Sequence, residues 1–538
     1  MNQKGCTILK RSLYSFLVVF LLLCQTVFAA DFSKVMILHT NDSHGYDQSD
    51  DKHIGMPVIA QIKRDMEAQG YEVIMLDAGD IIQGSSLAKF DKGKSIIKYM
   101  NAIGYDAATL GNHEFDYGLE VLQQRMKEAK FPFISSNIID NTTGDNFVKP
   151  TLILYKPYGK IGIIGLTTPS SKTSANPLYV SRLNFLEGRV LWASTQMYVN
   201  KLIAEKCDLI IALGHLGSLE GCAGSRSEDI LEHVNGIDIF IDGHDHLVKN
   251  NVIGNAIQVE TGSFTENLGC IVYEDGKWQE KLIPVGKDTK ADKELQKMVN
   301  NTSYAIEQQM GAVIGESLVT LDGNGFPGLR TQETAMGDFC ADAILWQSNQ
   351  ILGKDNRADA CIVNGGSVRT GFDAGKIKVS SVQSVFPFDN ELYEVTIKGD
   401  KLLEIIEAGT QSCPDAMGGF PQVAGIEYTL NLTVPYEKGP QYPQSMYYAP
   451  AAPGKRVTIS KVGDKPFDLD AEYKIVIIGF IKEGGDSYGG LLADDAIIST
   501  VNLGITDTEC LQSYITNRLH GRITPEHNKV KGRIKIIS

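Results

Sequence analysis

Five short apolar runs in the first half of this chain each lead into residues that bind metals, and this restricts the fold more than any other feature. Asp42 and His44 follow VMIL, and Asp80 follows VIML and a D-A-G turn. Asn112 and His113 follow DAATLG, His215 follows LIIALG, and His244 and His246 follow IDIFIDG. Such runs, bounded by glycine and polar turns, read as buried strands. Strands of one sheet deliver their ends to one edge, so Asp, Asn and His residues far apart in sequence can meet there. That is the construction of a two-metal hydrolase site.

The individual strings differ in weight. In an extended chain, residues i and i+2 point to the same side, so Asp42 with His44, and His244 with His246 in G-H-D-H, can each face one ion. D-x-H alone is weak and is often only a surface pair. Asp80 lies in D-A-G-D-I-I-Q-G, where glycine permits a tight turn that frees the carboxylate to bridge two cations; alone, it also reads as a helix N-cap. G-N-H-E-F-D, Gly111 to Asp116, is the strongest single string. The side-chain oxygen of Asn112 can ligate a metal, and His113 can donate a proton if Asp116 holds its other ring nitrogen. A lone His215 is more often structural, yet it shares the strand-end setting.

Lys4, Lys10 and Arg11 precede LYSFLVVFLLLC, and V-F-A-A ends the stretch before Asp31, the pattern of a secretory signal over residues 1–30. The mature chain is expected to be exported, to a periplasm or the extracellular space, with an uncleaved membrane anchor as the alternative. No later segment reaches the ~18 apolar residues that span a bilayer, so the mature chain is expected to lack a transmembrane segment. The net charge of -14 argues against nucleic-acid polymers as partners, and any bound phosphate must be drawn by local cations. Beyond the signal region an odd number of cysteines remains, none in a C-x-x-C pair, so cysteine metal chemistry is not expected.

At 538 residues the chain exceeds one core. Over residues 31–285, β-rich runs alternate with amphipathic stretches such as MPVIAQIKRDMEAQG and GLEVLQQRMKEA, which reads as α/β. In residues 286–312, Leu295, Met298, Val299, Ile306 and Met310 recur at helical spacing among polar residues and predict a linker helix. Residues 313–538 form a second α/β unit, with helices at MGDFCADAILWQS and KLLEIIEAG and strands at DACIVNGGSVR and YKIVIIGFI. Pro440, Pro443, Pro450 and Pro453 predict a long surface loop within it. The glycines of N-G-G-S-V-R let the backbone approach a ligand, and Arg369 offers planar donors to an anion.

As a set, these strings resemble the 5'-nucleotidase family of calcineurin-like metallophosphoesterases over nearly the whole mature chain. The resemblance rests on HTNDSHG, DAGD, GNHEFDYG, GHLG and GHDH in the first half, and on NGGSVR, FPFDN and GFIKEGGDSY in the second. It implies an N-terminal metallophosphoesterase β-sandwich flanked by helices, a linker helix, and a C-terminal α/β domain that binds nucleotide. It implies two divalent ions; mixed oxygen and nitrogen ligands suit Zn, Mn, Co or Fe. Asp42, His44 and His246 would hold one ion and Asn112, His215 and His244 the other, with Asp80 bridging and His113 with Asp116 as the catalytic pair. Relatives place His or an amide at His246, which leaves the metal preference open.

In the second half, Arg330, Asn364, Gly366 and Arg369 would contact a nucleotide, Phe388 and Phe480 would sandwich its base, and Asp486 would bind the ribose hydroxyls. The resemblance also places Cys340 and Cys361 where a disulfide can form. The implied activity is release of phosphate from nucleoside 5'-phosphates by a metal-activated water. A cyclic-nucleotide phosphodiesterase, a UDP-sugar or dinucleotide pyrophosphatase, and a non-catalytic nucleotide-binding protein are the alternatives. The partner is a small nucleotide, and the chain is expected to be a monomer or dimer.

Overall fold

The computed structural model describes residues 32–538 apart from 219–221, 287–289 and 444; the expected signal segment lies outside the described residues. The first domain contains two six-stranded sheets among those residues. In one, Val35–Thr40, Glu72–Asp77, Ala107–Thr109 and Phe133–Ile134 run parallel, flanked by the antiparallel strands Asn267–Glu274 and Lys277–Pro284. In the other, Gly159–Thr167, Leu209–His215, Ile239–Ile241 and Ala256–Thr261 run parallel between the edge strands Thr151–Lys156 and Val248–Ile253.

The strand period of two sets the layering. Ile37, Ile74 and Leu76 of one sheet pack against Ile163, Ile211, Leu213, Ile239 and Val259 of the other. Their sequence neighbours Met36, Leu38, Val73 and Met75 face outward, against the helices Met56–Ala68 and Lys94–Ile103. On the far side, Ile164, Ile210, Ala212 and Phe240 pack against Gly188–Ala204. This is the β-sandwich between helices that the resemblance implies. Each fully buried Ile or Leu contributes about 1.5–3 kcal/mol.

The helix Lys293–Met310 starts where Asp292 accepts the N–H of Leu295. It is docked on the first domain rather than free between domains. Leu295 and Val299 are buried among the outer helices, and Tyr99 Oη donates to Thr302 Oγ1 at 2.6 Å.

In the second domain, Ala360–Asn364 lies within a five-stranded sheet, between Pro421–Ala424 and Glu472–Ile478. The helix Ala335–Leu352, capped by Thr334, covers it. Two sequence expectations change. The strand predicted at YKIVIIGFI stops at Ile478, and Gly479–Lys482 is a helical turn that re-aims Phe480. The proline-rich stretch is a hairpin rather than a loop, with Lys438–Gln441 paired to Tyr448–Pro450; proline is tolerated because these are edge strands.

The disulfide between Cys340 and Cys361 is not formed. Both are free thiols, fully buried in one apolar core, where burial pushes each thiol up and keeps it protonated. Each fills space as a small hydrophobe. Alkylation of the folded protein is expected to spare both, and alkylation after denaturation without reductant to label both. A Cys340–Cys361 cross-linked peptide in that digest would contradict the free thiols.

Candidate active site

The parallel strands of both sheets end at one edge, and the loops beyond them carry the candidate ligands. Asp42, His44, Asp80, His244 and His246 all have positive φ, from 46 to 95°. Left-handed backbone costs a non-glycine residue about 1 kcal/mol or more, and such residues cluster at functional sites. Asp42 with His44, and His244 with His246, therefore converge through turns and not through the strand alternation that their i, i+2 spacing suggests. The loops are tied together. Asp42 N donates to Gly79 O and His44 N to Asp80 O, each at 2.9 Å, and Phe264 N donates to Asp42 O at 2.8 Å.

Glu114, fully buried in the string G-N-H-E-F-D, makes the densest tie. Its Oε1 accepts the N–H groups of Ile81 and Ile82, and its Oε2 those of Asp80 and Gly111, at 2.6 to 3.3 Å. A Cβ on Gly111 would lie 2.2 Å from Asp80 Oδ1, so only glycine fits there. The string flagged this segment, but the role of Glu114 was missed because its partners are backbone groups distant in sequence.

These ties bring the ligand atoms together. His44 Nε2 and His246 Nε2 are 3.1 Å apart, and Asp42 Oδ1 is 3.4 Å from His246 Nε2. Asp80 Oδ2 stands 3.2 Å from His215 Nε2 and 3.8 Å from His44 Nε2. Asp42 Oδ1 is also 3.9 Å from His215 Nε2, so both carboxylates lie between the imidazoles. Asp42, His44 and His246 form one group with metal-ligand spacing, and Asp42, Asp80 and His215 a second. The His244 ring lies 5.2 Å from that of His215. Asp42 Oδ1, Asn112 Oδ1 and His215 Nε2 are buried without a hydrogen-bond partner. Leaving such atoms unpaired costs about 1–3 kcal/mol each, which a cation held among them would offset. The donor set fits divalent metal.

Burial is the largest single influence on these groups, and at two of them the neighbouring charges together outweigh it. Burial drives His44 and His246 well below the usual imidazole value and His244 to about 4, leaving neutral rings with free lone pairs. Burial also pushes Asp42 up to about 7, against the pull of His215. For Asp80 burial is outweighed by His215, His113 and His44, which hold it well below the carboxylate range. For His215 burial is outweighed by Asp80 and Asp42, which hold it well above the usual value.

His113 Nδ1 is 2.5 Å from Asp116 Oδ2, and His113 N donates to Asp80 Oδ1 at 2.8 Å. Asp116 therefore orients the ring and leaves Nε2 to address a ligand. The second domain faces this edge across a cleft of about 2360 Å³, lined by His113, Asp116, Arg330, Asn364, Gly366, Arg369, Phe388, Phe480 and Asp486. Burial and neighbouring Arg330 lower Arg369 to about 10, opposed by Asp80, Asp116 and Asp42, so it stays charged at neutral pH. Asn364 Nδ2 donates to Asp486 Oδ2 at 2.8 Å. The Phe388 ring stacks on His113 with centroids 5.8 Å apart. Asp486 N donates to Thr173 O at 2.8 Å and closes the cleft at the other side.

Two domain families match the chain. Residues 35–248 match calcineurin-like phosphoesterase, and residues 313–493 match the 5'-nucleotidase C-terminal domain. The chain is 29% identical to a 5'-nucleotidase of Vibrio cholerae serotype O1, over 90% of each chain. It is 28% identical to the trifunctional nucleotide phosphoesterase protein YfkN of Bacillus subtilis, over 93% of this chain and 34% of that one, so it spans about a third of that longer relative. Its fold is similar to the crystal structure of a 5'-nucleotidase precursor from Thermus thermophilus, with a TM-score of 0.78 at 23% identity, over 94% of this chain and 99% of that one.

The tie at Glu114 is testable. Each of its oxygens accepts two N–H groups, so in Glu114→Gln the amide would set a donor against two donors. The variant is expected to lose about 2 kcal/mol of stability and, in parallel, bound metal. Denaturant unfolding and metal analysis check this; unchanged stability and metal content would remove Glu114 from the site's support.

Proposed function

The chain belongs to the 5'-nucleotidase family of calcineurin-like phosphoesterases, and on that premise we propose that it hydrolyses nucleoside 5'-phosphates at the edge shared by its two domains. Proteins of this family are metal-dependent phosphoric ester hydrolases. The observation that carries the reading is the convergence of Asp42, His44 and His246, and of Asp42, Asp80 and His215, at metal-ligand spacing beside His113, with Arg369 opposite. Asp42, His44 and His246 would hold one divalent ion and Asn112, His215 and His244 a second, with Asp80 within reach of both groups. Two bound divalent ions lower the pKa of a water and neutralise phosphate oxygens.

The chain's own residues do the rest. Asp116 holds His113 by Nδ1, so Nε2 can carry a proton toward the leaving alkoxide and stabilise the charge that builds there, worth about 10²–10³ in rate. Arg330, Arg369 and Asn364, with the backbone at Gly366, grip the phosphate end of the nucleotide. Phe388 and Phe480 line the base subsite, and Asp486 receives the ribose hydroxyls. The cleft exceeds the ~1,000 Å³ of ordinary small-ligand sites, which keeps nucleotide sugars within the substrate range. Among the described residues no helix is long and apolar enough to cross a membrane. The proposed export rests on the N-terminal sequence.

Asp80→Ala and His113→Ala separate ligation from charge stabilisation. Asp80→Ala is expected to lose bound metal and activity together. His113→Ala is expected to keep its metal while phosphate release from AMP falls about 10²–10³-fold. Phosphate release measured beside metal content decides; metal lost in step with activity from His113→Ala would make His113 a ligand.

A further inference from the structure

Lys89 belongs to the first domain, in the short helix Ser86–Asp91, yet its ammonium reaches into the second. Its Nζ donates to Phe386 O at 3.3 Å and to Thr508 Oγ1 at 3.4 Å, and stands 3.3 Å from Asp389 Oδ1. These acceptors belong to two segments that meet beneath Phe388. Thr508 Oγ1 itself donates to Phe386 O at 2.9 Å, and Asn390 Nδ2 donates to Asp507 Oδ2 at 3.0 Å. Lys89 therefore grips the loop on both sides of Phe388, whose ring stacks on His113.

The Lys89 side chain is 10% exposed, while Asp389 is 52% exposed. The ion pair is accordingly screened, and the bonds to the carbonyl and hydroxyl, made largely out of water, carry the contact. The segment bearing Lys89 is anchored at its other end to the ligand loops. Ser85 N donates to His44 O at 2.8 Å, Ser85 Oγ to Gly45 O at 2.7 Å, and Asp80 N to Glu114. One stretch, from Asp80 to Lys89, thus joins the metal-ligand edge to the aromatic loop.

We propose that Lys89 is a positioning residue that fastens the Phe388 loop onto the first domain, so that preference for nucleotides over simple phosphate esters passes through it. The proposal rests on the nucleotide reading above and adds the residue that couples base recognition to the site of hydrolysis. A base-less substrate gains nothing from the loop, so its hydrolysis does not depend on Lys89.

Lys89→Met keeps the apolar stem and removes the charge. With the full-length, metal-loaded enzyme, KM for AMP is expected to rise about tenfold, the size of one lost charge-assisted bond, with kcat nearly unchanged. Hydrolysis of glycerol 2-phosphate, which has no ring to stack, is expected to be unaffected, and Lys89→Arg to restore most of the AMP affinity. In a Phe388→Ala background, Lys89→Met is expected to add no further loss. Equal losses on both substrates, or full additivity with Phe388→Ala, would overturn the proposal by making Lys89 a support of the metal loops alone. An AMP preference that survives Lys89→Met overturns the proposal while leaving the nucleotide reading intact. A wild-type enzyme with no preference for AMP over glycerol 2-phosphate overturns both.

Discussion

The carboxylate of Glu114 takes N–H groups from two loops at once, Gly111 on one and Asp80, Ile81 and Ile82 on the other, and the rest of the site is built outward from that tie. A buried carboxylate with four donors fixes the path of the chain at Asp80, a residue held at positive φ. Asp80 O then receives His44 N, and Gly79 O receives Asp42 N, so the geometry of three loops descends from one buried anion. The left-handed conformations at Asp42, His44 and Asp80 persist because this network over-determines them. Convergence of the ligands is thus a consequence of backbone hydrogen bonding, with the side chains following.

Much of the fold was legible because burial leaves a period. Ile37 and Ile74 face the sandwich interior, and Met36 and Met75 the outer helices, as strand alternation requires. The strand-end positions of Asp42, Asp80, His215 and His246 were readable for the same reason, since an apolar run must stop before a ligand begins. What escaped has a common physical cause. Glu114 acts on backbone N–H groups and Lys89 in part on the Phe386 carbonyl, and a backbone partner leaves no letter in the sequence. Leu295 and Val299 marked a helix correctly, but spacing does not say which surface covers them. Cys340 and Cys361 do share a core, but closeness in an apolar interior leaves thiols as packing groups unless they are oxidised.

The two domains divide their labour by charge. The first presents carboxylates and neutral imidazoles, and the second presents two guanidiniums close enough that Arg330 lowers Arg369. Arg369 feels Asp80, Asp116 and Asp42 across the cleft, so opposite signs face each other there, and the attraction is larger than between fully exposed groups. A chain of net charge -14 could hold a phosphate ester in this way because the cations that would meet it, Arg330 and Arg369, are local and half-buried. The outer surface repels polyanions while the closed cleft attracts one small anion.

On the proposed function, closure would bring Arg369 of the second domain to His113 of the first, across the cleft that both line. The domains touch at Phe388 against the His113 ring, at Asp486 N on Thr173 O, and at Glu307 Oε2, 2.9 Å from Lys378 Nζ beside the docked helix. The last pair is exposed and contributes little, the second is one backbone bond, and the first needs its loop held in place. None of these three contacts is a strong tie by itself, and Lys89 on Phe386 O and Thr508 Oγ1 adds to them. A ligand that fills the cleft, stacking on Phe388 and bonding Arg369, adds its own contacts to both domains and shifts the balance toward the closed form by its differential affinity. On the proposed function, a substrate with both a phosphate and a base would close the site more completely than a bare phosphate, so a preference for nucleotides would follow from the energetics of closure itself.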